Sequence, residues 1–427
     1  MSRLARRLLS IASCVLLSAS CAPASLPPRA ASAASTCVVT SPPYGARCDN
    51  VTDDHVAIQR ALDDAASCGT VLIPAGAACL SRSLNLTAMS GRTLLIAGEL
   101  VAWRAPASWR RPGDLANNML LSATSGDGAW VGSLVRGFTL AGGGRLLGGG
   151  AAWWPGAASV QRPRLLWLPN ASDLHVANLT LVDSPSWHIG VRGERLLMER
   201  LVIVAGADSC GGFGHAPNTD GINHGGRDIV IRDVTVHNGD DAFPLTTGND
   251  GTSYNISYER LHAECGTNGL VIYNQGGSIQ LVRSCDTTVA RTNQGVGVKL
   301  SRPGRDATGG LVADVLHENL IISEPRYAAI YINVFQEDAQ PPCVLPAKHD
   351  LPDWLTVRGF ALRNVTAQVA AGQAAGCLRC TPGRPCEGLD FQDVRVLRPS
   401  GKPATGYDCF NVANTSSGGD TQPALCV

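Results

Sequence analysis

The sequence carries no excess charge of either sign: 35 Lys and Arg face 35 Asp and Glu, for a formal net charge of +0, and no run of like charge stands out. That balance argues against a nucleic-acid partner and against docking on an anionic membrane surface. Aromatic residues are scarce at 5%, while glycine (47) and proline (25) are plentiful. Such a composition implies many turns and suits a β architecture better than a helical one. No later apolar run is long enough to span a bilayer, and the one near the N-terminus, Leu8 to Ala19, is also too short. With Arg3, Arg6 and Arg7 ahead of it and small residues such as Ala31-Ser32-Ala33 behind it, that run reads as a secretory signal peptide. Residues 1–34 are assigned to signal peptide and leader, and 35–427 to one elongated domain, since nothing between them resembles a linker. A bacterial lipoprotein reading at Cys21 would want an aliphatic residue where Ser18 stands.

Export is supported independently by sequons at Asn50, Asn85, Asn170, Asn178, Asn255, Asn364 and Asn414, a number that favours a glycosylated eukaryotic protein. Removal of the signal takes Cys14 and Cys21 and leaves thirteen of the fifteen cysteines. Disulfides are expected in an oxidising compartment, with at least one thiol left over. The Cys377-x-x-Cys380 spacing is open to a zinc or redox reading, but Cys386 lies nearby with no local histidine, so a C-terminal disulfide staple is the expectation. The pairings stay open.

Past the leader, Ile58, Ala61, Leu62, Ala65 and Ala66 recur at helical spacing behind Asp53 and Asp54. The spacing predicts one amphipathic helix with acidic residues in its first turn, ending near Ser67-Cys68-Gly69 and capping an exposed sheet end. From about residue 70, short apolar segments return every twenty to thirty-five residues or so: Leu94–Ile96, Leu174–Leu181, Leu196–Ile203, Ile229–Val236, Ile256–Leu261, Leu311–Ile322, Phe360–Val369 and Leu389–Val396. Several share one pattern, an apolar stretch, a polar pair, then alternating apolar residues. Strand-and-turn repeats of that period with no helical pattern between them point to an all-β, single-stranded right-handed parallel β-helix with a short N-terminal capping helix. A β-sandwich or propeller would also be all-β, but no WD or kelch signature supports the propeller.

The stretch from Pro217 to Leu245 concentrates the chemistry, with Asp220 ahead of the Ile229–Val236 strand and Asp240-Asp241 behind it. Three carboxylates in one place push their pKa values apart, which supplies an acid and a base together. Adjacent residues on a regular strand face opposite ways, so Asp240 and Asp241 are expected at a strand end or bend, which Asn238-Gly239 permits.

The mature chain resembles glycoside hydrolase family 28, the polygalacturonase-like pectin-acting β-helices, over nearly its whole length. The resemblance is carried by Tyr44-Gly45-Ala46 with Val51-Thr52-Asp53-Asp54, by Arg162-Pro163 with Ser184-Pro185-Ser186-Trp187, and by the ordered pair Asn218-Thr219-Asp220-Gly221 and Gly239-Asp240-Asp241. It implies a secreted hydrolase that cleaves α-1,4-galacturonosyl or related pectic linkages by an inverting single displacement. Asp240 would be the general acid, and Asp220 and Asp241 would hold and deprotonate the attacking water, with the carboxyls farther apart than in retaining enzymes. Lys299, Asn218 and Asn268 would bind substrate. The resemblance implies no metal or cofactor, a polysaccharide as the partner, and a monomer.

Three positions depart from the family pattern. Asn268 stands where a histidine is usual, Gly297 of Gly297-Val298-Lys299 where an arginine is usual, and Ala242 where many relatives carry cysteine, which leaves Cys265 to find another partner. Asparagine cannot titrate near neutrality, and the Arg-Lys grip on a uronate keeps only its Lys; Arg302 or Arg305 would be the compensating cations. Other readings therefore stay open: action on rhamnogalacturonan, xylogalacturonan or an algal polysaccharide, a decayed carbohydrate-binding β-helix, or a calcium-dependent lyase. His215 and His224 read as surface residues on a Gly-rich loop, and Trp153, Trp154 and Trp187 as sugar-stacking or packing residues.

Overall fold

The computed structural model describes residues 35–103, 119–122, 135–155, 162–206, 210, 215–274, 276–300, 309–333 and 354–426. The signal peptide and leader assigned to 1–34 lie outside them, as do Arg302 and Arg305. The fold is a right-handed parallel β-helix, as the repeat implied. Successive long strands Arg164–Val182, Ile189–Val204, Ile222–His237, Thr252–Glu264, Gly277–Ala290, Gly310–Ser323 and Leu355–Gln368 pair in parallel, each with the next.

These strands are longer than the segments expected from sequence because each turns two corners without leaving the ladder. The first corner runs through Asp173, Arg195, Asp228, Asn255, Leu281 and Asp314, and the second, five residues later in each coil, through Asn178, Arg200, Asp233, Arg260, Asp286 and Asn319. All have φ between 50° and 60°, and each is skipped by the pairing register, as where Glu199↔Arg232 is followed by Leu201↔Val234. One left-handed residue redirects the strand, and Asn and Asp tolerate that conformation best. The polar pair in the sequence repeat is this second corner. It also explains why the interior apolar positions Ile229, Ile231, Val234 and Val236 change parity at Asp233, while all four stay buried. The corners stack in turn: Asn255 Nδ2 donates to Asp228 Oδ1 at 2.6 Å, and Asn364 Nδ2 to Asn319 Oδ1 at 2.9 Å.

The capping element is two short helices, His55–Asp63 and Ala65–Cys68, rather than one. Neither has an acidic residue in its first turn. Asp54 precedes the first helix and uses its carboxylate on the amides of Arg47 and Cys48, at 2.7 and 2.9 Å. Ile58, Leu62 and Ala65 bury against the first coils; disulfide Cys37–Cys68 fastens the second helix to the first strand, and Cys48–Cys79 ties the segment ahead of the cap to the strand Ala78–Ser81. Among the described residues no helix is long and apolar enough to cross a membrane.

Candidate active site

From Phe243 onward the long strands alternate with short ones, Phe243–Leu245, Asn268–Asn274, Gln294–Leu300, Ala328–Asn333 and Gly376–Arg379, which stack in parallel as one wall. The three aspartates stand where the chain enters this wall. Asp220 lies just ahead of Ile222–His237, and Asp240 and Asp241 occupy the bend between His237 and Phe243. Asn238 Nδ2 holds that bend through the carbonyls of Thr219 and Asp241, at 3.0 and 3.1 Å, while the Gly239 amide donates to Thr219 Oγ1 at 3.0 Å. Adjacent coils register the carboxylates directly. The amide of Gly221 donates to the Asp241 carbonyl at 2.9 Å, and that of Thr267 to the Asp240 carbonyl at 3.0 Å. Gly266 is needed here, because a Cβ would meet the Asp240 carbonyl oxygen at 2.1 Å.

One oxygen from each of Asp220, Asp240 and Asp241 lies within 4.8 Å of the others. Burial, and then the Asp241 carboxylate, raise the pKa of Asp240 to about 7, against the opposing charge of Lys299. Burial, followed by Asp240 and Asp241, raises Asp220 well above the usual carboxylate range. Asp220 Oδ2 accepts from Asn223 Nδ2 at 3.0 Å, but its buried Oδ1 has no hydrogen-bond partner. Asp241 meets Lys299 Nζ at 3.8 Å and accepts from Thr267 Oγ1 and Asn268 Nδ2. Three oxygens so close could also hold a cation, though Lys299 already supplies positive charge to the cluster.

Asn218 approaches Asp240 Oδ2 with its Nδ2 at 3.4 Å and accepts from Arg162 Nη2 at 2.6 Å. Arg162 also donates to the carbonyls of Pro185 and Pro217, so it ties two loops beneath the site. Asn268 does not face an open groove. It is 2% exposed, donates to Asp241 and accepts from the Tyr331 hydroxyl at 2.9 Å. Gly297 is the register partner of Tyr331, and a Cβ there would meet the Tyr331 carbonyl oxygen at 1.7 Å and its Cδ1 at 2.9 Å. Both departures thus adjoin Tyr331, Asn268 through the phenol hydroxyl and Gly297 through the close approach of the Tyr331 backbone and ring. Burial, then the Asp241 charge, keep that phenol's pKa well above its ordinary value, so it remains a donor.

His224 corrects the surface reading. It is fully buried, with Nε2 at 2.6 Å from the Tyr258 hydroxyl, and burial lowers its pKa to about 4. His215 is exposed and Trp153 is core. Sequence reasoning missed His188, which is buried with Nδ1 at 3.1 Å from the Asp220 carbonyl. It also missed Thr267 and Tyr331; only Thr267, next to Asn268, carried a usable positional signal. Cys265 finds Cys210 as its partner, and Cys380 pairs with Cys386 in the expected C-terminal staple.

The chain is a glycoside hydrolase on a parallel β-helix. The family model for glycosyl hydrolases family 28 matches residues 64–418, and the chain belongs to that family. It is similar to a probable polygalacturonase of Arabidopsis thaliana, 26% identical over 90% of this chain and 83% of the relative. An exopolygalacturonase of Zea mays is 26% identical over 88% and 87%. Among solved structures, an endo-xylogalacturonan hydrolase from Aspergillus tubingensis superposes with a TM-score of 0.69 at 20% identity, covering 90% of this chain and 99% of that one. A polygalacturonase from Erwinia carotovora gives 0.66 at 19%, covering 92% and 99%.

Tyr331→Phe should free the Asn268 amide and lower kcat about tenfold, the worth of one buried hydrogen bond, with little change in KM. Steady-state kinetics on polygalacturonate check this; unchanged kcat would show that the phenol does not orient Asn268.

Proposed function

We propose that this enzyme hydrolyses galacturonosyl linkages of a pectin-like polysaccharide outside the cell, by direct displacement with water. The observation that carries the reading is the division of labour within the trio. Asp240 has its pKa raised to about 7 and so can carry a proton to the glycosidic oxygen near neutrality. Asp241 faces the Lys299 ammonium and accepts hydrogen bonds from Thr267 and Asn268, an arrangement that suits the role of base. The unpartnered Oδ1 of Asp220 is free to hydrogen-bond a water shared with Asp241, and Asp241 takes the water's proton as the oxygen attacks the anomeric carbon. Asn218 steadies Asp240, Lys299 also meets a substrate carboxylate, and Asn268 acts through Asp241.

Carboxyl separation distinguishes the two courses, about 5–5.5 Å for a retaining pair and about 6.5–9.5 Å for an inverting one, and one oxygen of each aspartate lying within 4.8 Å of the others does not by itself choose between them. Inversion is supported instead by the third carboxylate, which lets two groups hold water while one protonates the leaving group. The relatives' names as polygalacturonases support the pectic substrate. Secretion of residues 35–427 as one β-helical domain, after loss of the 1–34 leader, is supported by the disulfides and by exposed sequon residues Asn85, Asn178, Asn255, Asn364 and Asn414. We read the secreted form as a monomeric glycoprotein.

Proton NMR of polygalacturonate hydrolysis should show the first reducing ends in the β configuration. First-formed α ends would overturn inversion, and no reducing ends from any pectic polymer would overturn the substrate. The rate should also fall as pH rises through about 7, where Asp240 loses its proton. Because Lys299 lowers the Asp240 pKa, Lys299→Met should move that alkaline limb upward; a pH–rate profile with the limb unmoved would contradict the coupling.

A further inference from the structure

On the N-terminal side of the aspartates lies a cationic, aromatic cluster that the reaction above does not use. The Arg164 guanidinium carbon sits 3.8 Å from the Trp187 ring centroid and 4.4 Å from that of Trp167. The indoles lie 5.9 Å apart, tilted by 48°. Gly190 makes the cluster possible, because a Cβ there would meet Trp167 Cε3 at 2.3 Å. Arg192 adds a second cation 5.9 Å from the Trp167 ring, held by the Thr247 carbonyl at 3.2 Å and Thr246 Oγ1 at 3.1 Å. Trp187 adjoins the catalytic coil: its neighbour His188 donates its amide to the Asp220 carbonyl at 2.9 Å.

Arg164 makes no salt bridge among the described residues, and its Nη1 is buried without a hydrogen-bond partner. Burial, the first cause, and the nearby Arg192 draw its pKa down to about 10, against the pull of Asp220, so it stays charged at neutral pH. A cation kept partly out of water between two indoles, with no carboxylate to pair with, is costly unless something else completes it. Arginine offers a planar fork that matches a carboxylate, and an indole face matches a sugar ring.

We propose that Arg164, Trp187, Trp167 and Arg192 form a uronate subsite beside the aspartates, with the sugar ring against Trp187 and its carboxylate on Arg164. This rests on the pectic reading above. The recognition of acid that position 297 cannot supply is then moved to the opposite flank, leaving the Lys299 side with one cation above Tyr273, 5.0 Å from its ring.

The test is tryptophan fluorescence titration with trigalacturonate and its fully methyl-esterified form, in an Asp240→Asn background that stops turnover. The background protein should prefer the acid, and Arg164→Gln should cut the acid-to-ester affinity ratio at least tenfold, with Arg164→Lys recovering part of it. A ratio unchanged by Arg164→Gln, or equal loss for both ligands, would overturn the subsite while leaving the pectic reading intact. Binding of neither trisaccharide by the background protein would remove both. If circular dichroism shows that Arg164→Gln does not fold, Arg192→Gln carries the same test, with a smaller drop in the same ratio expected.

Discussion

Much of this molecule answers to the crowding of three carboxylates within 4.8 Å on neighbouring coils. Strands in a sheet stand about 4.8 Å apart, so a parallel β-helix places residues from successive turns at nearly the distance that like charges resist. The surroundings balance that repulsion locally: Lys299 reaches Asp241, Thr267 bridges Asp240 and Asp241, and Asn223 takes one oxygen of Asp220. Burial, and then the repulsion that remains uncompensated, raise the pKa of Asp240 and Asp220. The property that makes the cluster costly to fold is the one that keeps a proton on an acid near neutral pH.

The β-helix was legible in the sequence because its coils repeat, and the apolar positions of Ile229–Val236 and its counterparts are the interior face of each turn. The corners were not, because a left-handed Asp or Asn looks like any polar residue inside a strand. Asp233 and its stack therefore read as a polar pair rather than a bend. The cap failed at Asp64, where helical spacing continued through a break that only the local backbone reveals. The three aspartates were legible as a group, since the turn residues Asn238-Gly239 explain how two neighbours both approach Asp220.

Their support was less legible, for a physical reason: it comes from side chains far away in sequence. Tyr331 touches Asn268 across 63 positions, and nothing local to either residue announces the contact. Read singly, Asn268 and Gly297 look like losses. Read in the fold, both adjoin Tyr331: Asn268 is held between its hydroxyl and Asp241, and Gly297 lies against its backbone. Arg164 is similar, an ordinary arginine in sequence that Gly190 and two indoles turn into a cation with no salt bridge among the described residues, next to the chemistry. The two flanks of the trio thus differ in kind, phenol and lysine on one side and arginine with tryptophan on the other.

The central claim is that Asp240 delivers the proton that frees the leaving sugar. The direct measurement is reducing-end release from polygalacturonate by Asp240→Asn, with its fold checked by circular dichroism. Asparagine fills the same space but cannot donate as an acid, so the rate should fall by about a thousandfold, within the range typical of a lost general acid. A folded Asp240→Asn protein that releases reducing ends at close to the native rate would contradict the assignment.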